Sequence, residues 1–306
     1  MTEITFRQAL QRGLREALDA DPNVFLMGED IGKYDGAYAV TQGLLEKYGP
    51  DRVRDTPISE AAFVGAGVGA AVAGLRPVVE LMSMSFSLVA SDQIVNMAAK
   101  IRYMSGGQIN VPMVLRAPTG GGVQLAATHS QSFENWYASV PGLKVVTPST
   151  PYDALGLLRS SIEDDNPVVF AENALLYATR GDVPDEEYRV PIGVADVKRT
   201  GTDITLVGWA HGIVTLMAAA EKLAETGVSA EVVDLRSLRP LDMETVIESV
   251  EKTGRALVLD ENWRTAGFGA ELAAEIGYRS SDYLDGPVAR VSGTDTPSPY
   301  SRPLEQ

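Results

Sequence analysis

The sequence predicts an α/β protein of two domains, in which mainly parallel sheets are flanked by helices. Short apolar strands alternate with helices along most of the 306 residues, and this alternation is typical of parallel sheets covered on both faces. The alternation stops once, in a polar stretch with two prolines, and then restarts. The length is also about twice that of an ordinary domain, so two domains are expected.

The first predicted helix begins at a capping box formed by Thr5 and Gln8. Its apolar residues recur at roughly helical spacing, at Phe6, Leu10, Leu14 and Leu18. Ser59 begins a second helix, which continues through Ala61–Leu75, and its hydroxyl is expected to cap the free backbone amides.

The rest of the first half continues the alternation of strands and helices. We predict strands at Val24–Met27, Val78–Leu81, Pro112–Ala117, Leu143–Pro148 and Pro167–Glu172, and helices at Phe86–Tyr103 and Pro151–Asp165. In the second half we predict strands at Ile204–Trp209, Ala230–Leu235, Ala256–Leu259 and Val288–Ser292, and helices at Ile213–Thr226, Met243–Thr253 and Ala270–Ile276.

Between the halves, the periodicity stops over Thr179–Gly193, a polar stretch that contains both prolines. Such a composition is typical of a linker. We therefore predict a first domain over residues 1–180, a linker over 181–192 and a second domain over 193–306.

Composition excludes several classes of function. The chain has 41 acidic and 26 basic residues, a net charge of −15, which disfavours nucleic acid as a partner. The longest apolar stretch, Ala61–Leu75, is shorter than the roughly 20 residues of a membrane span. There is no cysteine, so disulfides, thiolate nucleophiles and cysteine-ligated metals are excluded, and two histidines are too few for a multi-histidine metal site. The N-terminus lacks the pattern of a secretory signal, so a cytoplasmic location is expected.

Glu60 is the most informative carboxylate. It follows the predicted cap Ser59, so one interpretation is an acidic side chain that complements the helix dipole, worth about 0.3–1 kcal/mol. The same helix contains Gly65, Gly67 and Gly69, each of which costs about 1 kcal/mol of helix propensity. Glycines are retained at such a cost where a backbone or a ligand must come close, which favours a functional role for this helix.

The three glycines also match the dinucleotide-binding pattern G-x-G-x-x-A, which would indicate a nicotinamide-dependent dehydrogenase. That pattern requires a tight turn directly after a strand. Here the glycines fall inside the predicted helix, so this interpretation is weak.

Two further residues follow predicted strands, where open α/β sheets bind ligands. Glu29 follows the first strand, and His129 lies shortly after a glycine-rich segment, Thr119–Val123. A lone histidine is often structural, so both readings of His129 stay open. Together with Glu60 and Phe86, these residues predict a ligand crevice, whereas His211 has no polar cluster beside it in the sequence and is expected to be structural.

A series of segments resembles the beta subunits of the thiamine-diphosphate-dependent, decarboxylating component of 2-oxo acid dehydrogenase complexes, a transketolase-like family. The similar segments are Phe25-Leu-Met-Gly-Glu-Asp, Tyr34-Asp-Gly-Ala-Tyr, Asp55-Thr-Pro-Ile-Ser-Glu, Ala73-Gly-Leu-Arg-Pro, Tyr103-Met-Ser-Gly-Gly, His129-Ser-Gln, Pro141-Gly-Leu-Lys-Val-Val, Asp165-Asn-Pro-Val-Val and Leu238-Arg-Pro-Leu-Asp. They span the chain in matching order and spacing. The resemblance implies a pyrimidine-binding domain followed by a transketolase C-terminal domain.

The resemblance also implies roles for the crevice residues. Glu60 would be the catalytic glutamate that hydrogen-bonds N1′ of the aminopyrimidine, a task that suits a carboxyl group held protonated by its surroundings. Phe86 would stack on the pyrimidine, with Glu29, Ile58 and Met82 close by. His129 would face the reacting carbon, so the catalytic pair is Glu60 and His129.

In this family the motif for magnesium and diphosphate lies on an alpha subunit, and this chain shows no such motif. The resemblance therefore implies an active site between chains, in an α2β2 heterotetramer that docks a lipoyl-bearing dihydrolipoyl acyltransferase. It further implies a structural potassium ion, whose ligands map to Met113, Ser161, Ile162, Asp164 and Asn166, mostly through carbonyl oxygens.

The sequence is compatible with several functions. Tyr34-Asp-Gly-Ala-Tyr and Met104-Ser-Gly-Gly resemble the pyruvate and acetoin members of the family more than the branched-chain members. Pyruvate is the expected substrate, with acetoin and branched-chain 2-oxo acids as alternatives. A non-catalytic docking scaffold is a further alternative, which the presence of Glu60 and His129 disfavours.

Overall fold

A computed structural model, which describes residues 1–305, confirms the predicted two-domain α/β architecture. The strands are β1 Thr2–Thr5, β2 Val24–Gly28, β3 Val53–Asp55, β4 Arg76–Glu80, β5 Val114–Thr119, β6 Lys144–Val146, β7 Val168–Asn173, β8 Arg180–Val183, β9 Asp196–Arg199, β10 Ile204–Gly208, β11 Ala230–Asp234, β12 Ser237–Arg239, β13 Ala256–Trp263 and β14 Ala289–Gly293. The α-helices are α1 Phe6–Ala20, α2 Leu44–Tyr48, α3 Glu60–Val72, α4 Ile101–Met104, α5 Glu134–Ala138, α6 Pro151–Glu163, α7 Gly212–Glu225, α8 Met243–Thr253, α9 Phe268–Arg279 and α10 Arg302–Glu305.

The first domain is built on a seven-stranded sheet of order β12-β6-β7-β5-β4-β2-β3. All neighbours in this sheet are parallel except β12, which comes from the second half of the chain and pairs antiparallel with β6. The parallel strands end at one edge, which brings the loops that follow β2, β4 and β5 together.

The capping box at Thr5 and Gln8 is confirmed, because each side chain bonds the other residue's backbone. The apolar face of α1 is buried as predicted and packs on α6. At Gly13, an added Cβ would lie 3.0 Å from Leu158 Cδ2, so glycine lets the two helices approach closely. Each large apolar side chain buried in this contact contributes about 1.5–3 kcal/mol.

The second domain is built on a five-stranded sheet of order β14-β13-β10-β11-β9. Strands β14, β13, β10 and β11 are parallel, and β9 pairs antiparallel with β11 at the edge. In the part of the chain from 1 to 305, no helix is long and apolar enough to cross a membrane.

One predicted helix is wrong. The segment Phe86–Tyr103 forms a 3₁₀ turn at Met84–Leu88, a π-helical turn at Gln93–Ala98 and then α4. Serine hydroxyls bond the local backbone here: Ser83 accepts from the Ser85 amide, and Ser87 donates to Met84 O at 2.6 Å. Such local bonds compete with regular α-helical hydrogen bonding.

The predicted cap on the second helix is also wrong in its chemistry. Ser59 occupies the N-cap position of α3, but its side chain makes no capping hydrogen bond. The helix begins at Glu60 and ends at Val72, three residues before the predicted end. The short elements β3, α2 and α5 were not predicted, because each has five residues or fewer and shows too little periodicity.

The stretch predicted as an irregular linker begins with a strand. Strand β8 pairs antiparallel with β1, which also was not predicted. The N-terminal amine and the Thr2 hydroxyl both bond the Asp185 carboxylate, at 2.9 and 2.6 Å. The β1–β8 ribbon lacks an alternation of apolar residues that could reveal it in the sequence. The domain boundaries at 180 and 193 stay predictions.

A buried ion network lies within the first sheet. Arg116 donates two hydrogen bonds to Glu172, at 2.7 and 2.6 Å, and pairs with Glu80. The Tyr177 hydroxyl donates to Glu172 at 2.7 Å. Burial raises the pKa of Glu80, although the charge of Arg116 opposes that rise. The network thus depends on one fully buried cation.

Candidate active site

The predicted crevice lies at the edge where the parallel strands of the first sheet end. Glu29 directly follows β2, and Glu60 is the first residue of α3, after β3. Phe86 lies in the 3₁₀ turn that follows β4. His129 lies in the loop that follows β5. The topology therefore directs these four residues to one edge of the sheet.

Glu29 and Glu60 form a pair of buried carboxylates, each 6% exposed. Burial, together with the negative charges of Glu60 and Asp30, raises the pKa of Glu29 to about 7. Within residues 1–305, Glu29 Oε1 is buried without a hydrogen-bond partner. An unpaired buried acceptor is costly, so this position suits a ligand that donates a hydrogen bond.

The raised pKa of Glu29 predicts a pH dependence of stability. Between pH 4.5 and about 7 the folded protein keeps a proton that unfolded Glu29 has lost, so stability falls as pH rises through this window and levels off above it. We expect Glu29→Gln to flatten this fall, measured as urea unfolding at pH 5 and pH 8. Exposed Glu46→Gln is the control and should follow the wild type. Parallel pH curves for Glu29→Gln and wild type would contradict the raised pKa.

Phe86 and His129 contact each other edge to face, with ring centroids 5.0 Å apart and planes at 88°. His129 Nδ1 lies 3.0 Å from Thr128 Oγ1. The side chain of His129 is exposed and that of Phe86 is half-buried. With Nδ1 engaged by Thr128, Nε2 is the ring nitrogen that remains available for another hydrogen bond.

Ile58 and Met82 flank this edge. Ile58 lies two residues before Glu60 and is 85% exposed, and Met82 is half-buried after β4. The exposure of Ile58 and His129 leaves this edge of the sheet accessible on one side.

Two of the three glycines of α3 have packing roles, whereas a Cβ added at Gly69 would meet nothing within 4 Å. A Cβ on Gly67 would lie 2.6 Å from Val79 Cγ2, and one on Gly65 would lie 3.3 Å from Gln93 Cγ. These glycines let α3 lie against β4 and the π-helical turn. They lie inside a helix, so they do not form a phosphate-binding turn.

His211 belongs to a polar cluster that the sequence did not reveal, and its expected structural role stays a prediction. His211 Nδ1 lies 2.8 Å from Glu261 Oε1, and Asn173 Nδ2 donates to Glu261 Oε2 at 2.7 Å. The hydrogen bond with Glu261 raises the pKa of His211. The cluster borders a cleft of about 790 Å³ between the domains, here called the interdomain cleft, which Ser130 and Trp263 also line. The signal available in the sequence was that His211 closely follows β10.

The residues predicted to hold potassium lie together on one side of the first domain. The Val168 amide donates to Met113 O at 2.9 Å, which places Met113 beside the first residue of β7, two residues after Asn166. Both the amide and the side chain of Asn166 donate to Asp164 Oδ1 at 2.8 Å. Ser161 Oγ donates to Leu157 O at 2.7 Å, which leaves the Ser161 carbonyl as the oxygen for a cation.

Two protein cations also approach these oxygens. Arg76 donates to Ile162 O at 3.0 Å and to Asp164 O at 3.2 Å, and Lys144 pairs with the Asp164 carboxylate. Burial would raise the pKa of Asp164, but the bonds from Lys144 and Asn166 outweigh burial and lower it. A carbonyl oxygen keeps a second lone pair beside one hydrogen bond, so the all-oxygen donor set fits a hard cation. Among residues 1–305 no group of three or more His, Asp or Glu side chains could hold a metal.

Comparison with protein families gives two matches. Residues 2–179 match the family described as the transketolase pyrimidine-binding domain, and residues 193–306 match the transketolase C-terminal domain. A solved structure titled "Split gene transketolase, inactive beta4 tetramer" superposes with a TM-score of 0.77, at 22% identity, over 96% of this chain and 90% of that one. At this identity the likeness establishes the fold.

Curated relatives are closer in sequence. The chain is 51% identical to the pyruvate dehydrogenase E1 component subunit beta-1, mitochondrial, of Arabidopsis thaliana, over 99% of this chain and 85% of the relative. It is 47% identical to the pyruvate dehydrogenase E1 component subunit beta of Rhizobium meliloti, over 100% of this chain and 67% of the relative. The same subunit of Rickettsia bellii is 48% identical, over 99% of this chain and 94% of the relative.

Proposed function

Because the chain belongs to the transketolase-like family of pyruvate dehydrogenase E1 beta subunits, we propose that it forms half of a thiamine-diphosphate-dependent active site that decarboxylates pyruvate. The observation that carries this proposal is the buried pair of Glu29 and Glu60 beside the contact of Phe86 with His129. The crevice is open where a second chain would close it.

The crevice residues fit the aminopyrimidine of thiamine diphosphate. The unpaired acceptor Glu29 Oε1 is complementary to a ring amine. Glu60 would hold a proton on the hydrogen bond to N1′ of the pyrimidine. The half-buried ring of Phe86 would pack on the face of the pyrimidine, with Ile58 and Met82 beside that ring. When bound, the cofactor supplies a carbon nucleophile and an electron sink for decarboxylation.

His129 is proposed to contact substrate oxygens through Nε2. The bond of Nδ1 with Thr128 and the edge contact with Phe86 fix the direction of the ring. A histidine in this position can act as a hydrogen-bond donor or a general acid toward such an oxygen. Glu60 and His129 are thus the proposed catalytic residues of this chain.

The partner proposed to complete the site is an alpha subunit, which would bind magnesium and the diphosphate in an α2β2 heterotetramer. Support comes from exposed apolar side chains in the segment 84–104, which also contains Phe86. These are Val89, Met97, Tyr103 and Met104, which are 57%, 43%, 88% and 67% exposed. Exposed apolar groups of this kind mark protein interfaces.

Tyr103→Asp tests this interface. A charge buried against a partner without compensation is costly, so we expect this variant to lose co-purification with the alpha subunit while its thermal unfolding is unchanged. Tyr278→Asp, an 83% exposed tyrosine in α9, is the matched control and should still co-purify. Recovery of the complex with Tyr103→Asp would contradict the interface.

Further partners and ions follow from the same family. We propose that the second domain docks a lipoyl-bearing dihydrolipoyl acyltransferase, whose lipoyl group is reductively acylated.

Potassium at Met113, Ser161, Ile162, Asp164 and Asn166 is also proposed, supported by their oxygen donors. A higher melting temperature in KCl than in NaCl of equal concentration would support that site, and equal melting temperatures would count against it. A cytoplasmic location is likewise a proposal, which fractionation of the source cells can test.

The function is tested by expressing the chain with and without an alpha subunit from the same genome. We expect decarboxylation of pyruvate with thiamine diphosphate and magnesium in the pair only. Preference for acetoin or branched-chain 2-oxo acids would reassign the substrate. An assembled pair that turns over none of these substrates would favour the docking scaffold.

A further inference from the structure

The loop between β5 and His129 has an unusual backbone. Gly120, Gly122, Gln124 and Ala126 all adopt left-handed conformations, with φ of 89°, 93°, 58° and 63°. Two of these residues are not glycine, so the conformation is strained and must be held by contacts elsewhere. When left-handed residues alternate along a chain, the backbone N–H groups line a concave surface that can bind an anion.

A carboxylate of this chain occupies that surface. Glu305, in α10, accepts a hydrogen bond at 2.9 Å from the Gly122 amide through Oε1. It accepts another at 3.1 Å from the Gln124 amide through Oε2. The loop and Glu305 are 183 residues apart in sequence, so this contact joins the two halves of the chain. Hydrogen bonds to a charged acceptor are stronger than neutral ones.

The segment that carries Glu305 is itself tied to the second domain. The Trp263 indole donates to Thr296 O at 3.0 Å. The Thr265 hydroxyl donates to the Asp295 carboxylate at 2.6 Å. Residues 295–305 therefore run as a strap from the end of β13 to the loop of the first domain, along the interdomain cleft.

The loop residues that Glu305 contacts, Gly122 and Gln124, lie close to His129 in the chain. The His129 amide donates to Ala126 O at 3.3 Å, and only Leu125 separates Ala126 from Gln124. Fixing the amides of Gly122 and Gln124 thus limits the positions that His129 can take against Phe86. We propose that Glu305 is a positioning residue, which holds the glycine-rich loop so that His129 faces the crevice; its catalytic consequence rests on the proposed function.

The experiment uses the assembled enzyme with Glu305→Ala and Glu305→Gln. For Glu305→Ala we expect hydrogen exchange in the peptide 120–126 to become about tenfold faster, and kcat for pyruvate to fall about tenfold. Glu305→Gln keeps an oxygen acceptor of the same shape and should lie between Ala and wild type. The concentration of thiamine diphosphate that gives half-maximal rate should stay unchanged, because Glu60 and Phe86 lie outside the loop.

The matched control is Glu248→Gln, an exposed glutamate of α8, which should behave as wild type in each measurement. If hydrogen exchange in the peptide 120–126 is as slow in the Glu305 variants as in the control, the contact is overturned. If exchange is faster but kcat does not fall, the positioning role is overturned. If Glu305→Ala does not assemble, Glu305→Gln decides both. If the wild-type pair does not turn over pyruvate, the proposed function fails, and loop exchange still tests the contact by itself.

Discussion

Replacing Glu60 with glutamine is expected to lower pyruvate decarboxylation by the assembled enzyme about a thousandfold. Glutamine has the same shape but cannot hold or release the proton on the hydrogen bond to pyrimidine N1′, and a positioned proton donor of this kind contributes about 10²–10⁴-fold to rate. Glu60 is buried beside Glu29, so the amide adds no buried charge and the fold should be unaffected. The rate is measured as CO₂ release from the pair of subunits.

The control for Glu60 is Glu46→Gln, which changes an exposed glutamate in the first turn of α2. It should leave both rate and melting temperature at wild-type values. Turnover by Glu60→Gln within about threefold of wild type would remove Glu60 from the proposed catalytic pair.

Replacing Arg116 with methionine is expected to destabilise the first domain by about 3–5 kcal/mol, because it leaves the carboxylates of Glu80 and Glu172 buried without their cation. Arg116 is 1% exposed and pairs with both. The measurement is the free energy of unfolding in urea.

Two comparisons separate this effect from lost volume. Arg180→Met removes an exposed cation that pairs with Glu3 and should cost less than about 1 kcal/mol. Adding Glu80→Gln and Glu172→Gln to Arg116→Met removes the unpaired charges and should restore part of the stability. A cost for Arg116→Met as small as that for Arg180→Met would show that the buried network does not depend on its cation.

Features determined by neighbouring residues could be predicted from the sequence. The capping box of α1 joins residues three apart, and the apolar runs of β2, β4 and β5 need only their own composition. Glu60 was recognisable because it begins a helix directly after a cap position. The placement of Glu29, Phe86 and His129 at one edge followed from the parallel topology alone.

Features that depend on distant partners could not be predicted. The β1–β8 ribbon pairs polar residues from opposite ends of the first domain, and no apolar pattern distinguishes it from a loop. His211 acquires its partner Glu261 only when β10 and β13 pair. The contact of Glu305 with Gly122 is likewise invisible in local sequence. In the segment 84–104, serine side chains hydrogen-bond the local backbone, and the continuous α-helix that the sequence predicts does not form.

This chain is proposed to supply the pyrimidine half of an active site shared with an alpha subunit. The most direct measurement is calorimetric titration of thiamine diphosphate with Mg²⁺ into this chain alone, into the alpha subunit alone and into the pair. We predict micromolar binding to the pair and much weaker binding to either chain, since each holds only part of the cofactor. Micromolar binding to this chain alone would contradict the shared site.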